Sequence, residues 1–259
     1  MKFYPGFDIT PVHQTMNFRY GDDCFGPEVE YRYMDDIRSS LRDPACDGPA
    51  IVYSIAMDTG KLSHRALLEK MNLLYGVVMF AAGRLGEEPI RSQGHIHRTS
   101  SLSLCSTPEV YEIWEGEGVI YMQENGDDDP GRCFAVSAKA GEVVIVPPGW
   151  THATISANPT IPLVFGAWCD RQYGFEYEKV RTHKGIAWFP LFDGDGKLKW
   201  EPNSHYNKSE LICKSPEQHP ECGIATGEPI YSTFEKNPDT FLYVPFPQRK
   251  QDVWENFVP

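Results

Sequence analysis

Residues 141–152 read Gly141-Glu142-Val143-Val144-Ile145-Val146-Pro147-Pro148-Gly149-Trp150-Thr151-His152. The β-branched run Val143–Val146 specifies an extended strand. Pro147-Pro148-Gly149 stops it and turns the chain, so that His152 opens a second extended run. Two upstream segments belong with this one: Gly94-His95-Ile96-His97, and Glu109-Val110-Tyr111-Glu112-Ile113-Trp114-Glu115-Gly116. On a strand, residues i and i+2 share a face. His95 and His97 therefore point the same way, as do Glu109, Tyr111 and Ile113, and a third row holds His152, Thr154 and Ser156. Three imidazoles and one carboxylate converging inside a β framework make a site for one divalent transition metal, with Fe, Mn, Ni and Zn all compatible. Glu112 is the alternative carboxylate, although its parity turns it outward.

The rest of the chain reads as mainly β. Strands are predicted at 51–57, 73–82, 110–114, 118–123, 133–137, 143–146, 153–156, 163–168, 185–192 and 197–201, divided by turn residues among 22 glycines and 21 prolines. Short helices are predicted at 34–42 and 63–71, a polar surface loop at 203–218, and weak tail strands at 229–234 and 240–244. Residues 1–202 read as one domain, with its core at about 50–192. Residues 203–259 read as an extension lying on that domain or on a subunit interface, being too short for a core of their own.

Of the 259 residues, 36 are acidic and 24 basic, a formal net charge of −12. That balance argues against a nucleic-acid or anionic-membrane surface. No apolar run is long enough to span a bilayer, and the opening MKFYPGFDIT has no signal-peptide pattern. Seven scattered cysteines without a CxxC fit reduced thiols in a cytoplasm. Asp127-Asp128-Asp129 lacks EF-hand spacing and reads as a solvated hairpin tip.

An isolated HxH pair is as readily an exposed strand edge as a ligand pair. Here, however, Glu109 is followed by six residues and Gly116, and Gly141 by five and then Pro147-x-Gly149-x-x-His152. This order resembles the two motifs of the cupin superfamily, which implies a jelly-roll β-barrel of two antiparallel sheets. Eleven residues, Arg98–Pro108, separate His97 from Glu109, more than is usual there, and Ser156 stands where an Asn is common. The fuller strings Ser92-Gln93-Gly94-His95-Ile96-His97, Glu109-Val110-Tyr111, Glu115-Gly116-Glu117-Gly118 and Val146-Pro147-Pro148-Gly149-Trp150-Thr151-His152, with Gln172-Tyr173-Gly174 beyond them, resemble the cupin-type glucose-6-phosphate isomerases over about residues 30–190.

That resemblance implies His95, His97, Glu109 and His152 as metal ligands. It puts Ser92 and the backbone of Gly94 at a phosphate, with Tyr111, Tyr173 and Thr154 near the sugar. It also implies a metal-dependent aldose–ketose isomerisation, through a stabilised enediolate or a hydride shift, with Glu109 or a tyrosinate as proton carrier. Glucose 6-phosphate and fructose 6-phosphate are the leading substrate pair, and a homodimer is expected by analogy. Two positions depart from the family. Val78 stands for a phosphate-binding threonine, and Arg171 replaces a histidine, where a bidentate guanidinium could take the phosphate. Positive potential is expected where the metal meets Arg91, Arg98 and Arg171. The alternatives are an Fe(II) dioxygenase using the same four ligands and a non-catalytic sugar-binding cupin.

Overall fold

A computed structural model describes residues 3–259. Ten strands build its two principal sheets: β1 Glu30–Tyr33, β2 Ile51–Ala56, β3 Leu73–Phe80, β4 Glu109–Glu115, β5 Glu117–Gln123, β6 Cys133–Lys139, β7 Val143–Val146, β8 Thr151–Ser156, β9 Leu163–Asp170 and β10 Leu211–Lys214. The six-stranded sheet runs β7-β4-β9-β3-β2-β1 and the four-stranded sheet β8-β5-β6-β10. Every pairing is antiparallel except β6 with β10. This is the all-β, two-sheet architecture expected from the sequence.

The chain changes sheets at glycines. Gly116 joins β4 to β5 at φ +79°, and a Cβ there would lie 2.6 Å from the carbonyl oxygen of Pro162. Gly149 at φ +81° occupies the third position of the Pro147–Trp150 turn, where Trp150 N–H donates to Pro147 O at 3.4 Å. Proline followed by a positive-φ glycine is the requirement of a type II turn. It swings the chain from β7 into β8 and delivers His152.

Between the sheets lies a core that includes Val78, Phe80, Tyr111, Ile113, Ile120, Met122, Phe134 and Phe165. The outer faces are covered as well. Tyr75, Trp114 and Trp168 pack under Phe7, Tyr231, Phe234 and Phe241, and Tyr121, Ala153 and Ile155 under Val180, Ile186 and Tyr206. Burial on both faces is why β3 and β9 are apolar throughout rather than alternating. Both outer faces are thus covered by other segments of the same chain. Among the described residues, no helix is long and apolar enough to cross a membrane.

Four local readings are corrected. The tail at 229–234 is a helix, Ile230–Lys236, whose buried Ile230, Tyr231 and Phe234 follow i, i+1, i+4 spacing. The 240–244 strand is replaced by a 3-10 turn, Pro238–Phe241, opened by its proline. The polar 203–218 stretch contains β10, held by main-chain pairing to β6 rather than by a hydrophobic face. Finally, the 34–42 helix is only Met34–Ile37 with a 3-10 turn at Arg38–Ser40, and the unanticipated edge strand β1 precedes it.

Candidate metal centre

His95 and His152 face each other across an isolated antiparallel bridge. His95 N–H donates to His152 O at 3.0 Å, and His152 N–H to His95 O at 2.9 Å. Their rings meet at 4.3 Å between centroids, with His97 5.3 Å from His95 and 5.0 Å from His152. Glu109 reaches in from β4, its Oε2 lying 3.1 Å from His97 Nε2 and 3.3 Å from His152 Nε2. One donor atom from each of the four residues lies within 4.8 Å of all the others.

Backbone contacts set the imidazole tautomers. Nδ1 of His97 lies 2.9 Å from Thr107 O and Nδ1 of His152 3.2 Å from Trp150 O, so each Nδ1 carries the hydrogen and each Nε2 presents a lone pair inward. Two lone pairs then confront a carboxylate oxygen, an arrangement that calls for a shared cation. His95 Nε2 is buried with no hydrogen-bond partner at all, which is costly unless something coordinates it. The donor set therefore fits a divalent transition metal.

The same contacts bias the charge states. Burial, reinforced by His152 and His97, holds His95 well below the ordinary imidazole range. Burial also lowers His152. At His97 burial pulls down, but the adjacent Glu109 carboxylate outweighs it and leaves the group raised. Burial alone would raise Glu109, yet the adjacent His152 and His97 imidazoles keep it well below the usual carboxylate value. Tyr111 donates to Glu109 Oε2 at 2.9 Å and Cys169 to Oε1 at 3.3 Å. Burial and then the Glu109 charge push the Tyr111 phenol well above 10. It is a neutral hydrogen-bond donor, not the tyrosinate allowed by the sequence.

A cavity runs from this cluster between the sheets. His95, Glu109, Tyr111 and Cys169 line its inner end, Val78, Phe80 and Phe165 contribute apolar wall, and Ser92 and Thr154 supply hydroxyls. Ser92 Oγ accepts the Thr154 N–H at 3.1 Å. Gly94, at φ +90°, lets the chain pass Ile186, whose Cγ2 would lie 2.8 Å from a Cβ. Arg171 and Tyr173 are not among the lining residues. Arg171 is instead clamped by Asp58, at 2.8 and 2.6 Å, and by Leu73 O at 3.1 Å. Tyr173 is exposed beside Phe175.

The expected arginine cluster does not form. Arg91 is wholly buried on Glu88 at 2.5 Å and on Ser40 O at 2.6 Å, and Arg98 is an exposed residue whose N–H bonds Gly174 O. Glu112 does face away from the cavity, as parity requires, but it is buried beneath the Ile230–Lys236 helix. Its Oε1 accepts Ile230 N–H at 2.8 Å and its Oε2 accepts Trp114 Nε1–H at 3.2 Å. Arg32, Gln93 and Tyr177 also line the cavity, Tyr177 with its ring centre 6.0 Å from that of His95, and were missed. Only Cys169 carried a legible signal, since it shares parity with Phe165 and Ala167 on β9.

A family model described as glucose-6-phosphate isomerase matches residues 45–208. The glucose-6-phosphate isomerase of Sinorhizobium medicae is 26% identical over 140 residues, covering 54% of this chain and 60% of that protein. That of Pyrococcus furiosus is 26% identical over 137 residues, covering 53% and 66%. The chain thus spans about three fifths of the length of these curated relatives. Among solved structures, an oxalate oxidase aligns with 48% of this chain and 54% of its own at 15% identity, with a TM-score of 0.36.

Proposed function

Since this chain belongs to the glucose-6-phosphate isomerase family, in its cupin-type form, we propose that it is a metal-dependent aldose–ketose isomerase interconverting glucose 6-phosphate and fructose 6-phosphate. The observation that carries this reading is the convergence of His95, His97, Glu109 and His152 on one point, with His95 and Glu109 lining a cavity between the sheets.

A divalent metal held by those four residues would polarise the two substrate oxygens that exchange carbonyl and hydroxyl character. Glu109 is ionised, so it can accept the proton that leaves C2 and return it at C1. Its orientation is fixed from both sides, because Tyr111 O–H donates to Oε2 and Cys169 S–H to Oε1. Ser92 and Thr154 present hydroxyls to the sugar, while Val78, Phe80 and Phe165 keep bulk water from the reacting carbons. The seven free cysteines support a reducing, cytoplasmic setting. The reading includes a homodimer, by analogy with the family.

The test is metal analysis of the purified protein together with conversion of fructose 6-phosphate, before and after chelation. About one metal per chain and activity that chelator abolishes and metal restores are expected. His95→Ala should lose both metal and activity. A metal-loaded protein inert on hexose phosphates would overturn the isomerase reading, and oxygen consumption with a small organic acid would point to a dioxygenase instead.

A further inference from the structure

The cavity lining combines two chemistries beside an apolar wall of Val78, Phe80 and Phe165. His95 and Glu109 bring the metal-ligand cluster to it, and Tyr177, its ring centre 6.0 Å from that of His95, borders a cationic part. Arg32 is the cation among its lining residues, and it lies with Gln93 and Tyr177. These three residues are shared with an adjoining outer hollow that adds Arg181, Tyr31, Tyr33, Ser39, Asp35 and Asp36. A sugar phosphate bound with its C1 and C2 oxygens at the cluster must direct its anionic end toward some other part of this space. Of the arginines expected for that task from sequence, Arg91 and Arg171 are each consumed by a carboxylate, and Arg98 is exposed and outside the cavity lining.

We propose that Arg32 and Arg181, together with Gln93 and Tyr177, form the phosphate grip of this enzyme and set its preference for a phosphorylated sugar. The proposal rests on the isomerase reading and names the anion end of the same site. Arg181 stands on the Glu178–Thr182 helix. It spends only Nε, which donates to Gln93 Oε1 at 2.9 Å, and its guanidinium carbon lies 5.1 Å from the centre of the Tyr177 ring. Among the described residues, no carboxylate lies within ion-pair distance of it. The two Nη groups are therefore free to form the paired N–H bonds that guanidinium makes with phosphate oxygens.

Arg32 comes from β1 and shares the hollow with Tyr177 and Arg181, and the charges of both arginines act on the Tyr177 phenol. Its present partner is the exposed carboxylate of Glu30, at 3.0 Å, an ion pair of the weak surface kind that a dianionic phosphate displaces. The acids of the hollow are already engaged: Asp35 pairs with Arg38 at 2.7 Å, and Asp36 accepts the Tyr33 N–H at 2.7 Å. This arrangement also accounts for Val78, which sits in the apolar wall where the family has a threonine. The phosphate is held further out, by charge rather than by a hydroxyl.

The test compares dissociation constants for fructose 6-phosphate and unphosphorylated fructose, measured calorimetrically on the metal-loaded protein, with steady-state kinetics alongside. Arg181→Gln and Arg32→Gln should each weaken fructose 6-phosphate binding about 10- to 100-fold. KM should rise in proportion, kcat should change little, and fructose binding should stay the same. Arg181→Lys should recover only part of the loss. Arg19→Ala, which removes an exposed charge outside the site, should leave every value unchanged, and thermal unfolding checks that the variants are folded. If both glutamine variants bind fructose 6-phosphate as the parent does while Ser92→Ala does not, the grip lies at Ser92 and this proposal fails with the isomerase reading intact. If the parent neither binds nor converts any sugar phosphate, both fail.

Discussion

Glu109 and Glu112 lie three residues apart on β4 and project to opposite faces of one sheet, where their carboxyl groups are driven in opposite directions. Glu109 meets two imidazoles and is held ionised. Glu112 meets a tryptophan N–H and the first N–H of a helix, and burial outweighs both, pushing its carboxyl up to about 8. This gives Glu112 a folded-state value above its ordinary 4.5, so the native protein binds the additional proton between those limits. Its contribution to stability is complete below about pH 4.5 and is lost as pH rises through about 8. Glu112→Gln should therefore flatten the fall of stability between pH 5 and pH 8, as read from urea midpoints at several pH values. Parallel slopes for the two proteins would refute the assignment.

The residues that the sequence revealed and those it hid differ in a definite way. His95, His97, Glu109 and His152 were legible because they lie on short extended segments with fixed spacing, so parity alone aims them at one point. Arg32 and Arg181 were not, being almost 150 positions apart and brought together only where both line one hollow with Tyr177.

At the scale of elements, strands with β-branched cores were read nearly to their ends, as at Val143–Val146. Errors gathered where side-chain character and backbone state part company. The aromatic tail residues favour strands in isolation, yet they fold as a helix because their stripe covers Tyr75 and Trp168. Edge strand β1 mixes charged residues with tyrosines, and β10, Leu211–Lys214, is a four-residue run inside a polar stretch, so neither leaves a long hydrophobic trace. The glycine between β4 and β5 gives a sharper test. Gly116→Ala would place a Cβ 2.6 Å from Pro162 O at φ +79°, a left-handed conformation that costs about 1–2 kcal/mol before the clash is counted. A loss of at least about 2 kcal/mol in denaturant unfolding is expected, and a loss under half of that would show that the turn can shift.

For the whole molecule, the covering of both sheets matters most. Residues beyond 202 supply Tyr231, Phe234, Phe241 and Tyr243 to the outer core, and β10 pairs along β6. Ending the chain at residue 202 should bare a broad apolar face around Trp114 and Trp168 and leave β6 as an open edge. The truncated protein is expected to aggregate or to bind the dye ANS strongly. A soluble product that unfolds cooperatively and ignores the dye would show that the extension is dispensable.

The reciprocal bridge between His95 and His152 has a kinetic consequence. Because each backbone amide bonds the other's carbonyl, neither imidazole can withdraw by a main-chain movement without unzipping the pair. One local opening of the segment around residues 91–97 releases two of the four donors together. Exchange of an ion at this centre then follows the breathing frequency of that short segment, not the successive detachment of single ligands.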